Sequence, residues 1–116
     1  MGLFDNRGNR ILQKKRVALM EKVSIYGFGS FFAQKKHCSD IDLLILHEST
    51  SYDSCQFSIW CKKYLLTKVT GADITILSKL EESQISFIEK SQARQLGNVY
   101  ENSAKNDLDA ILTREI

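Results

Sequence analysis

The stretch Asp40-Ile41-Asp42-Leu43-Leu44-Ile45-Leu46-His47 constrains this chain more than any other. Beyond its two acids it is a run of branched aliphatic residues that predicts a β-strand over Ile41 to His47. Side chains alternate between the two faces of a strand, so this run puts apolar groups on both. Such a strand belongs in the interior of a sheet that is covered on each side. Asp40 and Asp42 stand at i and i+2 and share one face. Two unpaired carboxylates that close together repel one another and favour protonation of one of them. A divalent cation removes that conflict, and hard oxygen ligands suit Mg²⁺, which one or two carboxylates hold together with substrate phosphates.

The segments on either side fill in an alternating pattern. Gln, Lys, Arg and Glu with Leu12, Leu19, Met20 and Val23 predict a helix over residues 9–22. Val23 to Phe28 reads as a short strand, and Phe31 to Lys36 as about one and a half turns of helix with Ser30 as its N-cap. Phe57, Trp60, Cys61, Tyr64 and Leu65 recur at helical spacing, and Gly71 closes that helix. Ala72 to Leu77 predicts a strand with Ile74 and Ile76 on one face and Asp73, Thr75 and Leu77 on the other. Ser78-Lys79-Leu80-Glu81 has the form of a capping box, which starts a helix running to Arg94 and broken at Gly97. Asn98 to Glu101 reads as extended. Leu108, Ile111 and Leu112 lie on one side of a last helix, Ala104 to Arg114. Strands alternating with helices predict one α/β domain, residues 1–116, built on a small sheet with helices packed on it.

Composition excludes several classes. The chain has 116 residues, 43% of them hydrophobic, enough for a core. Basic and acidic residues, 16 and 14, are interspersed with no polybasic tail, and no nucleic-acid motif is present, which argues against a nucleic-acid-binding protein. No apolar run approaches a membrane span and no signal-peptide core is visible, so a cytoplasmic location is expected. Cys38, Cys55 and Cys61 have neither zinc-site spacing nor an even count, and read as reduced thiols. His37 and His47 read as structural or surface residues, and Trp60, Tyr64, Tyr26 and Phe28 as core.

Just upstream of the two acids, Phe28-Gly29-Ser30 offers a turn whose backbone N–H groups and hydroxyl suit a phosphate. A phosphate turn beside a metal-binding acid pair points to nucleotidyl transfer. This combination, an apolar residue followed by Gly29-Ser30, a spacer, and Asp40-Ile41-Asp42-Leu43, resembles the nucleotidyltransferase superfamily that includes DNA polymerase beta. The resemblance covers roughly residues 10–100, and the small size of the chain makes it look like the minimal nucleotidyltransferases of bacteria and archaea. It implies a mixed sheet whose middle strand carries Asp40 and Asp42, with a third family carboxylate on a later strand matched by Asp73.

By the same resemblance, Asp40, Asp42 and Asp73 are the catalytic residues and the ligands of Mg²⁺ or Mn²⁺, and Gly29 and Ser30 bind a nucleoside triphosphate. Lys35 and Lys36 stand where they could reach a phosphate. Where many members carry Arg soon after Gly-Ser, this chain has Phe31-Phe32-Ala33-Gln34. The expected activity is transfer of a nucleoside monophosphate to an acceptor hydroxyl, possibly on a partner protein. Minimal members often pair with a small helical partner in a toxin–antitoxin arrangement, so the alternative is an antitoxin-type binding module with weak or no catalysis. A chain this short has little room for an acceptor domain. Phe31, Phe32, Leu108, Ile111 and Leu112 are not all expected to be buried within one copy, which predicts a protein partner or a homo-oligomer.

Overall fold

The structure is a computed structural model that describes residues 20–33 and 40–116. Four strands, β1 (Lys22–Phe28), β2 (Ile41–His47), β3 (Ala72–Ser78) and β4 (Arg94–Tyr100), form one sheet in the order β3-β2-β1-β4. β1 runs antiparallel to both its neighbours, and β2 and β3 are parallel. A parallel pair needs a crossover, which α2 (Tyr52–Lys68) supplies between β2 and β3. The other helices are α1 (Gly29–Phe32), α3 (Lys79–Ile85), α4 (Phe87–Ser91) and α5 (Ala104–Glu115), the last entered through a 3₁₀ turn at Glu101–Ser103. This is an α/β fold: a four-stranded mixed sheet with helices packed on it.

The core lies between one face of the sheet and the pair α2 and α5. Val23, Ile25, Leu43, Ile45, Ile74, Leu96 and Val99 come from the strands, Phe57, Cys61 and Leu65 from α2, and Ala104, Leu108 and Ile111 from α5. β2 is an interior strand and is buried continuously from Leu43 to His47, as its apolar run requires. Leu44 and Leu46 are buried although they face away from the α2 and α5 layer.

Local signals explain where the helices begin. Ser51 caps α2 by accepting the Ser54 N–H at 3.2 Å. Ser78 accepts the Glu81 N–H at 3.1 Å while Glu81 Oε1 accepts the Ser78 N–H at 2.8 Å, the reciprocal bonds of a capping box. Gly71, with φ +76, turns the chain from α2 into β3.

Several expectations need correction. Most of the helix expected over residues 9–22 lies outside the described residues, but Met20 and Glu21 are not helical and Lys22 already belongs to β1. Sheet pairing claims these backbone groups: Lys22 pairs with Tyr100, and the Glu101 N–H donates to the Glu21 carbonyl at 3.0 Å. The helix expected to run from Ser78 to Arg94 is interrupted. Ser86 adopts a left-handed conformation, φ 52, that ends α3, and α4 stops at Gln92, φ 57. The Glu82 carboxylate accepts the Ile88 N–H at 2.6 Å across the break.

Gly97 does not break a helix; it sits within β4. Ile25 pairs with Gly97 and Tyr26 with Gln95, so Leu96 is the extra residue of a β-bulge. The bulge brings Leu96 to the core face that Val99 also occupies. Gly97 lies under α5, where a Cβ would meet Ile111 Cδ1 at 3.0 Å. Of the apolar residues not all expected to be buried, Leu108 and Ile111 are buried in the core, whereas Phe31, Phe32 and Leu112 are only partly buried, Phe32 and Leu112 packing against the core.

Candidate active site

β2 and β3 run parallel with Asp42 opposite Asp73. Neighbours paired in this way present their side chains on the same face of a sheet. The two carboxylates therefore flank one another where β2 and β3 begin. Asp40 immediately precedes β2 and is exposed, Asp42 is half-buried and Asp73 is exposed. Local charge reflects this placement. The Asp42 carboxyl is held above the ordinary aspartate range, first by its burial, then by the charge of Asp73, then by that of Asp40. All three acids contribute to one negative field, and Asp73 acts on Asp42 more strongly than Asp40 does.

The turn after β1 closes over this pair. Phe28, the last residue of β1, is the pairing partner of Asp42. Gly29 follows with φ +81, a conformation open to glycine at little cost. A Cβ at Gly29 would overlap Asp42 Oδ2 and come within 3.1 Å of its Cγ. Gly29 is thus required twice over, by its backbone angle and by the carboxylate beside it.

Ser30 is the second residue of α1, not its N-cap; Phe28 holds that position, with no side-chain cap bond. The chain turns sharply enough after β1 that the helix begins two residues earlier than the Ser30 cap requires, and the Gly29 carbonyl accepts the Ala33 N–H at 3.1 Å. No basic residue lies in the last turn of α1. Phe32 instead folds its ring onto Gly27, where a Cβ would stand 2.7 Å from the ring carbons. Lys35, Lys36, His37 and Cys38 lie outside the described residues.

Phe28 also meets Phe87 of α4 edge to face, with centroids 5.0 Å apart and ring planes at 86°. Being paired in register, Phe28 and Asp42 share a sheet face, so an aromatic pair stands beside the carboxylates. Phe28, expected in the core, is only partly buried and lies outside the core cluster. Nothing in local periodicity marks Phe87, because its placement depends on the left-handed break at Ser86.

The remaining candidates lie elsewhere. His47 is at the far end of β2, buried, with Nδ1 2.9 Å from the Ser54 hydroxyl, and it serves the β2–α2 junction. Cys61 is buried in the core, which pushes its thiol up to about 12. Trp60 and Tyr64 lie on α2, and the Tyr64 hydroxyl donates to Asp109 at 2.8 Å. Among the described residues, no group of three or more His, Cys, Asp or Glu side chains is placed to hold a metal ion by itself. Two carboxylates that form no ion pair among the described residues are the donor set that Mg²⁺ accepts when phosphate oxygens and water complete its shell. The residues present therefore fit a cation that arrives with a phosphorylated ligand.

No family model, curated protein or solved structure matches the chain.

Proposed function

We propose that this chain is a nucleotidyltransferase domain of the polymerase beta type, which moves a nucleoside monophosphate from a nucleoside triphosphate to an acceptor hydroxyl. The observation that carries the reading is the in-register pairing of Asp42 with Asp73, with the Gly29 turn packed against Asp42. Asp42 and Asp73, with Asp40 beside them, would hold Mg²⁺ or Mn²⁺, whose chemistry is to neutralise triphosphate charge and make pyrophosphate a better leaving group.

The chain's own residues do the rest. Gly29 keeps the space over Asp42 free of a side chain, so a phosphate can approach the backbone. Ser30 follows it with a hydroxyl able to donate to that phosphate. Asp73, the more exposed acid of the pair, accepts the proton of the incoming acceptor hydroxyl. The Phe28–Phe87 pair borders the site with apolar surface suited to a sugar or base.

A second reading draws on a specific observation. Phe31 and Phe32 stand where an arginine would grip phosphate, and Phe32 is committed to packing over Gly27. That favours an antitoxin-type module which binds a protein partner and transfers slowly or not at all. On either reading the acceptor comes from another molecule.

Calorimetry with a non-hydrolysable ATP analogue, with and without Mg²⁺, tests the site directly. Binding should require the metal and should be lost in Asp42→Asn and in Asp73→Asn. Metal-independent binding, or binding that survives both substitutions, would refute the assignment. Transfer of label from α-labelled nucleoside triphosphates, with and without a candidate partner protein, then separates the two readings. Labelling of a partner supports the enzyme; metal-dependent nucleotide binding without transfer supports the module.

A further inference from the structure

A cavity of about 680 Å³ opens at the end of the sheet opposite Asp42 and Asp73. β2 and β4 both run antiparallel to β1, so both finish at that end. The start of α2 and the turn into α5 follow directly from them and wall the cavity. Its lining includes Phe57, Trp60, Asp53, Glu101 and Asn102, with Lys105 as the one basic residue among the described residues.

Two features define what fits. Trp60 is 38% exposed, unusually open for an indole on a packed helix. Its ring is nearly parallel to those of Phe57 and Tyr64, and the Phe57 centroid lies 6.4 Å away, an offset arrangement that leaves part of the indole open to the cavity. The second feature is charge. Asp53 and Glu101 line the cavity, and their field reaches Glu21, whose carboxyl is raised first by burial and then by Glu101, Asp53 and Glu48. The described lining thus carries two carboxylates against one ammonium, a balance that favours a cation over an anion.

A cation with a flat, weakly hydrated face satisfies both features. Guanidinium stacks on an indole and donates paired N–H bonds to a carboxylate, whereas an ammonium holds its water more tightly. The cavity is also much larger than one guanidinium, so chain flanking the arginine would enter with it. We propose that this cavity docks an arginine of a protein partner, its guanidinium against Trp60 and its N–H groups on Asp53 and Glu101. The proposal is independent of the carboxylate site at the other end of the sheet.

Trp60 is the chain's single tryptophan, so its fluorescence reports the cavity without a label. The probe is the tripeptide Gly-Arg-Gly, acetylated and amidated, titrated into the full-length protein. A saturable fluorescence change is expected. It should be about tenfold weaker or more for the citrulline tripeptide, a neutral isostere, and for Asp53→Asn/Glu101→Gln with the arginine tripeptide. No saturable change, equal binding of citrulline, or an unaffected double variant would overturn the proposal. Equally tight binding of free arginine would assign the cavity to a small molecule. Self-association lost in the double variant, with no response to the tripeptide, would assign it to a second copy of this chain. Either result also overturns the proposal.

Discussion

Gly29→Ala separates the two demands that the structure makes at this position. The first is conformational: φ +81 lies in the left-handed region, where an L-residue costs about 1–2 kcal/mol. The second is steric, because the new Cβ overlaps the Asp42 carboxylate. That carboxylate can swing aside, and the displaced rotamer costs about 0.5–1.5 kcal/mol. Truncating Asp42 to alanine removes Oδ2 and Cγ and leaves only its Cβ, 3.4 Å away, an ordinary contact. Gly29→Ala should therefore destabilise the native protein by about 2–3 kcal/mol, but the Asp42→Ala background by only about 1–2 kcal/mol. Urea unfolding of the four proteins, followed by circular dichroism, gives the coupling. Additivity within about 0.5 kcal/mol would show that the turn does not press on Asp42 and would refute this account. A coupled cycle should be accompanied by lost metal-dependent nucleotide binding in Gly29→Ala, because the carboxylate has moved from Asp73.

Three further outcomes follow from the same structure. Asp42 has a raised folded-state pKa, so its ionised form opposes folding; Asp42→Asn should stabilise the protein at pH 7 by up to about 0.8 kcal/mol, the Coulomb term for charges about 5 Å apart in water. That advantage should shrink as pH falls through the folded pKa and vanish below 3.8, the ordinary value, in melts run across pH; a constant difference would mean that charge is not its cause. Ser78→Ala removes one half of the capping box and should cost about 1 kcal/mol in urea unfolding, with fraying of α3 visible in amide exchange. Cys61, buried and with its thiol pushed up to about 12, should resist alkylation at pH 8 in the folded protein and react only on unfolding, as timed mass spectrometry would show.

Much of the architecture was legible in the residues because local and tertiary forces agree there. The run after Asp40 is apolar on both faces, and β2 occupies Ile41–His47 in the sheet interior. The side chains of Ser78 and Glu81 accept each other's backbone N–H groups through bonds that need no distant partner. The alternation in Ala72 to Leu77 places Asp73 opposite the face of Ile74, where the register finds it.

Tertiary structure decided the rest. β4 was hidden because Gly97 and the bulge at Leu96 erase the period-two pattern, and only pairing with β1 and cover from α5 make it a strand. The break at Ser86 is held by a contact from Glu82 to Ile88, which no helical periodicity reports. Ser30 is a cap by composition, but the turn at Gly29 starts α1 two residues too soon. The pairing of Asp42 with Asp73 belongs to this second group. Residue types made each carboxylate a candidate, but their meeting depends on β2 and β3 aligning in parallel across the α2 crossover, a long-range register fixed by the packing of Leu43, Ile45 and Ile74 against Phe57, Cys61 and Leu65.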